Sequence, residues 1–275
     1  MVTVRLLHGH ERSDDRARAD DAPSVLTVAE RYSVDELHAV AGLSGRSGFP
    51  GVPVDADQRL SPRERAVVTD AVLRSLVARG VISATTRSPV APHVSLFAVV
   101  LDPEVTCSVQ RYRPGDLSSR NGFVLQGLLV DETSPAPNVV ELAATDARDF
   151  DRWLADATGW SPAAALRTEV RQITRTAQKI RSLFGALAAD VPTTLEDQRV
   201  VDAGRAVTYR RSGSAVDGVD LAWITTLDTI WVFPHASDLL DGFGRNDGDV
   251  TLQATTESEL TRAVRRSVRP VAVRA

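Results

Sequence analysis

Cysteine occurs once in the 275 residues, at Cys107, so no intrachain disulfide can form and a zinc site built from cysteines is excluded. Lysine also occurs once, at Lys179; the other 31 of the 32 basic residues are arginine, a bias that reads as genomic and not as guanidinium chemistry. No apolar run approaches the roughly 20 residues needed to span a bilayer. Met1 to His10 has only a short apolar patch, followed by acid and arginine from Glu11 to Asp21, without the apolar block and small-residue cleavage site of a signal peptide. A cytoplasmic location is the expectation. The 43% hydrophobic and 25% charged fractions belong to a globular chain with enough length for a real core. A net charge of −4 argues against general nucleic-acid binding while leaving room for a local basic stripe.

Catalytic signatures are missing as well. The five histidines, His8, His10, His38, His93 and His235, show no spacing that places two imidazoles on one metal, and surface or capping roles are expected for them. Cys107 lies in an apparent strand without a neighbouring base, as a buried structural thiol would. Asp241 to Asp249 resembles a calcium loop only until Gly248 is aligned; Phe243 and Arg245 then fall where oxygen ligands belong. No glycine-rich phosphate loop opens a helix. The expectation is a protein that is not an enzyme and needs neither metal nor cofactor.

What is present is a patterned α+β chain. Residues 1–24, almost without apolar content after residue 7, read as a mobile N-terminal segment, and 25–275 as a single α+β domain. Ser33 with Glu36 and Ser61 with Glu64 have capping-box spacing; Pro62 suits a first helical turn and Gly80 a helix end. Val68, Ala71, Val72 and Leu76 form the stripe of that second helix. Val94 to Leu101 is ambiguous between strand and helix. Thr106–Tyr112, Gly122–Asp131 and Asn138–Ala144 read as an antiparallel meander with turns at Pro114-Gly115-Asp116, Asn121-Gly122 and Pro135-Ala136-Pro137, and a helix follows from Thr145 to Gly159. Leu166, Val170, Ile173, Ala177, Ile180, Phe184 and Leu187 recur at alternating spacings of four and three, which predicts one long amphipathic helix over Ser161–Ala189 with Arg167, Arg171, Arg175, Lys179 and Arg181 on its other face. After it the order repeats: strands at 205–211, 219–226, 229–233 and 249–254, then a helix capped by Thr255 or Thr256. Val140, Leu142, Ala144, Thr145 and Arg152 recur as Val250, Leu252, Ala254, Thr255 and Arg262, which suggests two related halves, about 25–160 and 161–275.

Two features suggest binding: the polar loop Arg113–Asn121, with Leu117 as its one sizeable apolar residue, and the basic face of the long helix. The layout also resembles the EspG-type chaperones of actinobacterial type VII secretion. The resemblance is carried by Val34-Asp35-Glu36-Leu37, the Pro-containing loop, Ser61-Pro62 with Glu64-Arg65, Leu76-Val77-Ala78-Arg79-Gly80, the meander, Leu221-Ala222-Trp223 and Val250-Thr251-Leu252, over about residues 25–269. It implies a quasi-two-fold α+β fold with a central antiparallel sheet and two helical subdomains. It further implies a cytosolic chaperone or adaptor that holds the apolar tip of a secreted helical substrate of the PE/PPE or WXG class. Carried onto this sequence, the substrate contacts fall at Arg113, Leu117, Ser119, Arg120 and Asn121 and, in the second helical region, at Arg171, Arg175 and Lys179. The alternative is a winged-helix transcriptional regulator that uses Ser61–Ile82 and an arginine face to meet phosphates.

Overall fold

The computed structural model describes residues 28–52, 61–160, 171–212, 215–234, 240 and 248–268. The N-terminal segment, the caps and stripe residues assigned to 161–170, and the 241–247 loop lie outside the described residues. The chain divides into two compact units, one reaching to Asp102 and taking in Gly127–Ala147, the other made of Pro103–Gln126 and the chain from Arg148 onward.

The first unit contains strand β1 (Val28–Ser33), helices α1 (Val34–Leu43), α2 (Pro62–Ala78) and α3 (His93–Leu101), and strands β4 (Leu128–Ala136) and β5 (Val139–Asp146). Strand β5 pairs antiparallel with β1 on one side and β4 on the other. Both capping boxes form. Ser33 Oγ accepts from the Glu36 N–H at 3.1 Å while the Glu36 carboxylate accepts from Ser33 N–H at 2.9 Å, and Ser61 and Glu64 repeat the exchange at the start of α2 behind Pro62. Gly80, at φ 70°, ends α2 as read. The ambiguous stretch before Leu101 is helix α3; it packs on β4, and its Phe97 meets Tyr32 and Phe49. The expected inward stripe of α2 is only partly buried: Leu76 is buried, Val68 and Val72 are half-buried, and Ala71 is exposed.

The second unit contains β2 (Val105–Arg113), β3 (Asp116–Leu125), α4 (Phe150–Thr158), β6 (Gln172–Thr176), α5 (Ala177–Ala188), the short β7 (Thr194–Leu195), β8 (Gln198–Ser212), β9 (Ala215–Thr226), β10 (Ile230–Pro234), β11 (Asp249–Thr255) and α6 (Glu257–Val268). Its strands run in the order β3-β2-β8-β9-β10-β11-β6, all antiparallel, with β7 on β8. Helix α5 buries Ala177, Ile180, Leu183, Phe184 and Leu187 against Ala203, Ala222, Ile224, Trp231, Phe233 and Leu252. Helices α4 and α6 cover the other face, through Trp153 and Leu154 of α4 and Leu260 and Val264 of α6.

The fold is α+β with a large antiparallel sheet, as the sequence pattern indicated. A strand is followed directly by a helix at β1-α1 and at β6-α5. Strand β1 pairs antiparallel with β5, and β6 with β11. Strands β2 and β8 pair with each other. Leu142, Leu154, Leu252 and Val264 are fully buried.

Three readings are corrected. The long helix does not begin before Ala177. Gln172–Thr176 is strand β6, and Thr176 is the cap, its hydroxyl accepting from the Lys179 N–H at 3.3 Å. The β-branched Ile173, Thr174 and Thr176 favour the strand, and the three-four spacing across it is coincidental with the helix that follows. The Arg113–Asn121 loop is mostly strand, since β2 and β3 pair from Arg113↔Asp116 inward. Asn121-Gly122 is no turn: Gly122 pairs with Cys107 mid-strand, and a Cβ there would lie 2.8 Å from the Trp153 ring, so the glycine makes room for the indole. The chain reverses instead after Leu125, where Gln126 and Gly127 both have positive φ.

Candidate partner-binding surface

The β2–β3 hairpin places its residues by parity. Arg113-Pro114-Gly115-Asp116 makes the turn, and Gly115, at φ 69°, donates its N–H to the Leu187 carbonyl at the end of α5 at 3.1 Å. The tip is therefore tied to the helix. Leu117 lies opposite Tyr112, whose ring meets Phe184 edge-on at 5.1 Å, so Leu117, Ser119 and Asn121 share the sheet face on which α5 packs. Leu117 is nevertheless 57% exposed. Asn121 accepts from the Ser108 hydroxyl at 2.7 Å. Arg113 and Arg120 point to the opposite face, where Arg120 sits 5.8 Å above the Trp153 ring.

That opposite face holds a buried charge that sequence reading missed. Asp202 accepts from Trp223 Nε1 at 3.0 Å and from Arg111 Nε, with Arg113 Nε at 3.8 Å. Burial pushes the Asp202 pKa up, and the hydrogen bonds from Trp223 and Arg111 pull against it without reversing the direction. Two glycines permit the arrangement. A Cβ on Gly204 would collide with the Trp223 ring, and one on Gly159, at φ 71°, with the Arg111 guanidinium. Trp160 packs edge-on against Trp223 at 4.7 Å. The signal was an arginine-aspartate pair 91 positions apart, which no local spacing marks.

The three basic residues assigned from the second helical region lie elsewhere, around β6 and the first turn of α5. Arg171 and Lys179 are exposed and Arg175 is half-buried, its guanidinium paired with Glu196 and donating to the Thr174 carbonyl at 2.6 Å. The structure thus separates the hairpin residues into two faces and places Arg171, Arg175 and Lys179 at the strand-helix junction. The arginines of α2, on which a regulator would rely, include Arg74 paired with Asp70 and Arg79 paired with Glu36.

His93 is not a surface residue. It is buried with Glu30 and Tyr32 in the first unit. Tyr32 Oη donates to Glu30 Oε2 at 3.0 Å and lies 3.0 Å from His93 Nδ1, which is itself 3.2 Å from Glu30 Oε2. With its proton given to Glu30, the Tyr32 oxygen accepts from a protonated Nδ1. Burial holds the His93 pKa below its ordinary value, with Glu30 opposing and Arg79 adding to the shift, while burial and then Glu30 raise that of Tyr32. The charged groups around this network are Glu30 on β1, Glu36 on α1 and Arg79 on α2. A histidine whose folded pKa is depressed contributes its full stability above its unfolded value, about 6.5, and loses it as pH falls through the folded value. Urea unfolding of the protein should therefore weaken below about pH 6.5, and His93→Gln should flatten that part of the profile; an unchanged slope would show that another group controls it.

Cys107 is fully buried and burial pushes its thiol pKa up, so it is held as the neutral thiol. Among the described residues, no group of three or more His, Cys, Asp and Glu side chains is placed to hold a metal ion, and no helix is long and apolar enough to cross a membrane. An open cleft of about 440 Å³ beside the start of α1 is lined by Val34, Val52, Pro135, Pro137, Asn138 and Val139, with no titratable group among the described lining residues.

Fold and surface together define an α+β protein whose exposed features are a tethered hairpin and a basic strand-helix junction. No family model matches the sequence, and no curated protein matches it. Among solved structures, the chain is similar to that of the Mycobacterium tuberculosis type VII secretion system chaperone EspG5 in complex with the PE25-PPE41 dimer, at 9% identity, with a TM-score of 0.49, over 88% of this chain and 95% of that chain. The likeness is one of fold.

Proposed function

We propose that the protein is a non-enzymatic cytosolic chaperone or adaptor that binds a secreted helical substrate of the PE/PPE or WXG class in a type VII secretion system. The observation that carries the reading is the β2–β3 hairpin, which presents Leu117, more than half exposed, among Ser118 and Ser119 on a tip tied to α5. A solvent-facing leucine on a braced element supplies an apolar contact without the ordering cost of a loose loop, and polar neighbours suit the rim of such a contact. Arg113, Ser119, Arg120 and Asn121 complete the proposed contact set on the hairpin, and Arg171, Arg175 and Lys179 a second one at the strand-helix junction. The layout shared with EspG-type chaperones supports the same reading, since holding a helical tip needs a platform and polar fringes and no acid, base or metal.

Co-expression with a PE/PPE pair followed by size exclusion tests it. The pair should co-elute with the wild-type protein. Leu117→Asp should abolish co-elution while changing unfolding free energy by no more than about 0.5 kcal/mol, because the side chain is exposed. Failure of the wild type to co-elute with substrates that are soluble alone overturns the reading.

A further inference from the structure

Strand β1 stands at the end of the strand order and, among the described residues, pairs with β5 on one side only. The Val34 N–H donates to the Asn138 carbonyl on the β5 side at 3.1 Å. Main-chain direction alternates along a strand, so Tyr32 and Glu30 turn their peptide groups to β5 while Ser33, Arg31 and Ala29 turn theirs outward. The strand has no proline or glycine, its register with β5 runs without a bulge, and the Arg31 side chain is engaged on its own sheet by Glu141. The strand itself therefore carries no device that blunts the edge.

Two helices supply one instead. Ser33 N–H donates to Glu36 Oε2 at 2.9 Å, and the Arg31 carbonyl accepts from Arg79 Nη2 at 2.7 Å, while Arg79 Nη1 donates to both Glu36 oxygens. A carboxylate takes the outward donor and a guanidinium the outward acceptor, as the peptide groups of a neighbouring strand would. The guanidinium also lies over the Tyr32 ring, 5.4 Å from its centre, which holds it along the edge. The pair leaves the Arg31 N–H and the N–H and carbonyl of Ala29 facing outward, on two residues whose side chains are exposed. Without the guanidinium, Arg31 and Ala29 would each present one donor and one acceptor, two residues apart. That pattern is its own complement about a two-fold axis, so an antiparallel copy of the same edge satisfies it.

From these bonds we infer that the Glu36–Arg79 pair is a removable block on the outer edge of β1, and that the occupant it excludes is the same edge of a second copy of this chain. Arg79 is the C-cap of α2, so the block holds only while the last turn of that helix is seated. Release of α2 and opening of the edge are one event. The device lies within the first unit, and it stands whether or not a helical client binds the hairpin.

The test uses the full-length protein with Arg79→Met and Glu36→Gln together, which removes the pair without leaving one buried charge unpaired, while glutamine still serves the capping box of α1. Sedimentation should show self-association at least about tenfold tighter than that of the wild type, with slowed exchange of the Ala29 and Arg31 amides in the associated form. Arg31→Pro, which removes an outward donor at an edge position where proline is tolerated, should return the double variant to wild-type behaviour; Arg31→Ala, which loses the Glu141 contact and keeps the donor, should not. Arg79→Lys is the milder change and decides the matter if the double variant does not fold. Its single nitrogen stays with Glu36 and no longer reaches the Arg31 carbonyl as the two arms of the guanidinium do, so association should rise there too. Folded variants that associate no more than the wild type overturn the inference. Association that survives Arg31→Pro, or that leaves the Ala29 and Arg31 amides unprotected, also overturns it, in favour of another surface.

Discussion

Replacing Arg111 with methionine is expected to destabilise the protein by about 3–5 kcal/mol, the largest effect foreseen for a single change of charge. Asp202 is only 7% exposed, and Arg111 supplies its hydrogen-bonded counter-charge; removing the guanidinium leaves a buried carboxylate with the Trp223 N–H as its remaining close donor. Arg113, at 3.8 Å and half exposed, stands too far off to replace a direct bond. Asp202→Asn alone should cost less, because an amide can still accept from Trp223 and is neutral where burial already disfavours the charge. The double variant Arg111→Met with Asp202→Asn should recover much of the single Arg111 loss, and denaturant unfolding of all four proteins measures the coupling. The penalty should also shrink in acid. A carboxyl whose folded pKa is raised is favoured in the fold below its unfolded value of about 3.9 and disfavoured as pH rises through the folded one, so a proton at Asp202 relieves the unpaired charge in the Arg111→Met protein. Equal losses for the single and double variants would mean that the cost comes from the lost packing of the planar Arg111 guanidinium over Gly159 and not from the unpaired charge of Asp202.

How far the sequence discloses this molecule depends on the range over which each cause acts. Caps are local, and Ser33 with Glu36, Ser61 with Glu64 and Gly80 stand where their spacing puts them. Strand patterns late in the chain were also legible, since β8, β9 and β11 each contain the run read for them and β10 begins one residue after its own, at Ile230. The stretch before α5 was not, because a period of three and four runs without a break from Ile173 in a strand into Ala177, Ile180 and Phe184 in a helix, and only β-branching and the hydroxyl of Thr176 betray the change. Gly122 misled for a different reason. An Asn-Gly pair is a turn signal unless something needs the missing Cβ, and here Trp153, 31 positions away, does. The same limit hid His93, whose partners lie on β1, and Asp202, whose arginine lies on β2. Burial of a charge is decided by tertiary neighbours, which no local pattern carries.

Leu76→Ala is the second large effect expected, about 2–5 kcal/mol, and its consequence should be local as well as global. Leu76 is fully buried, whereas the rest of α2 is half-buried at best, with Val67 69% exposed. The helix is held by its last turn. Beside Leu76, the Ser75 hydroxyl donates to Glu36 at 3.3 Å, and Arg79 donates to both oxygens of the buried Glu36, at 2.8 and 2.7 Å, and to the Arg31 carbonyl at 2.7 Å. Those bonds depend on the helix end staying seated, and the Leu76 side chain is the apolar contact that seats it. Removing it should lower the unfolding free energy and speed amide exchange along α2 more than along α1, which keeps Leu37, Val40 and Ala41 in the core. Val67→Ala provides the contrast: an exposed valine should cost no more than about 0.5 kcal/mol. A loss at Val67 as large as that at Leu76 would show that the outer face of α2 is covered in solution, and α2 would then be a contact surface instead of a helix anchored by one turn.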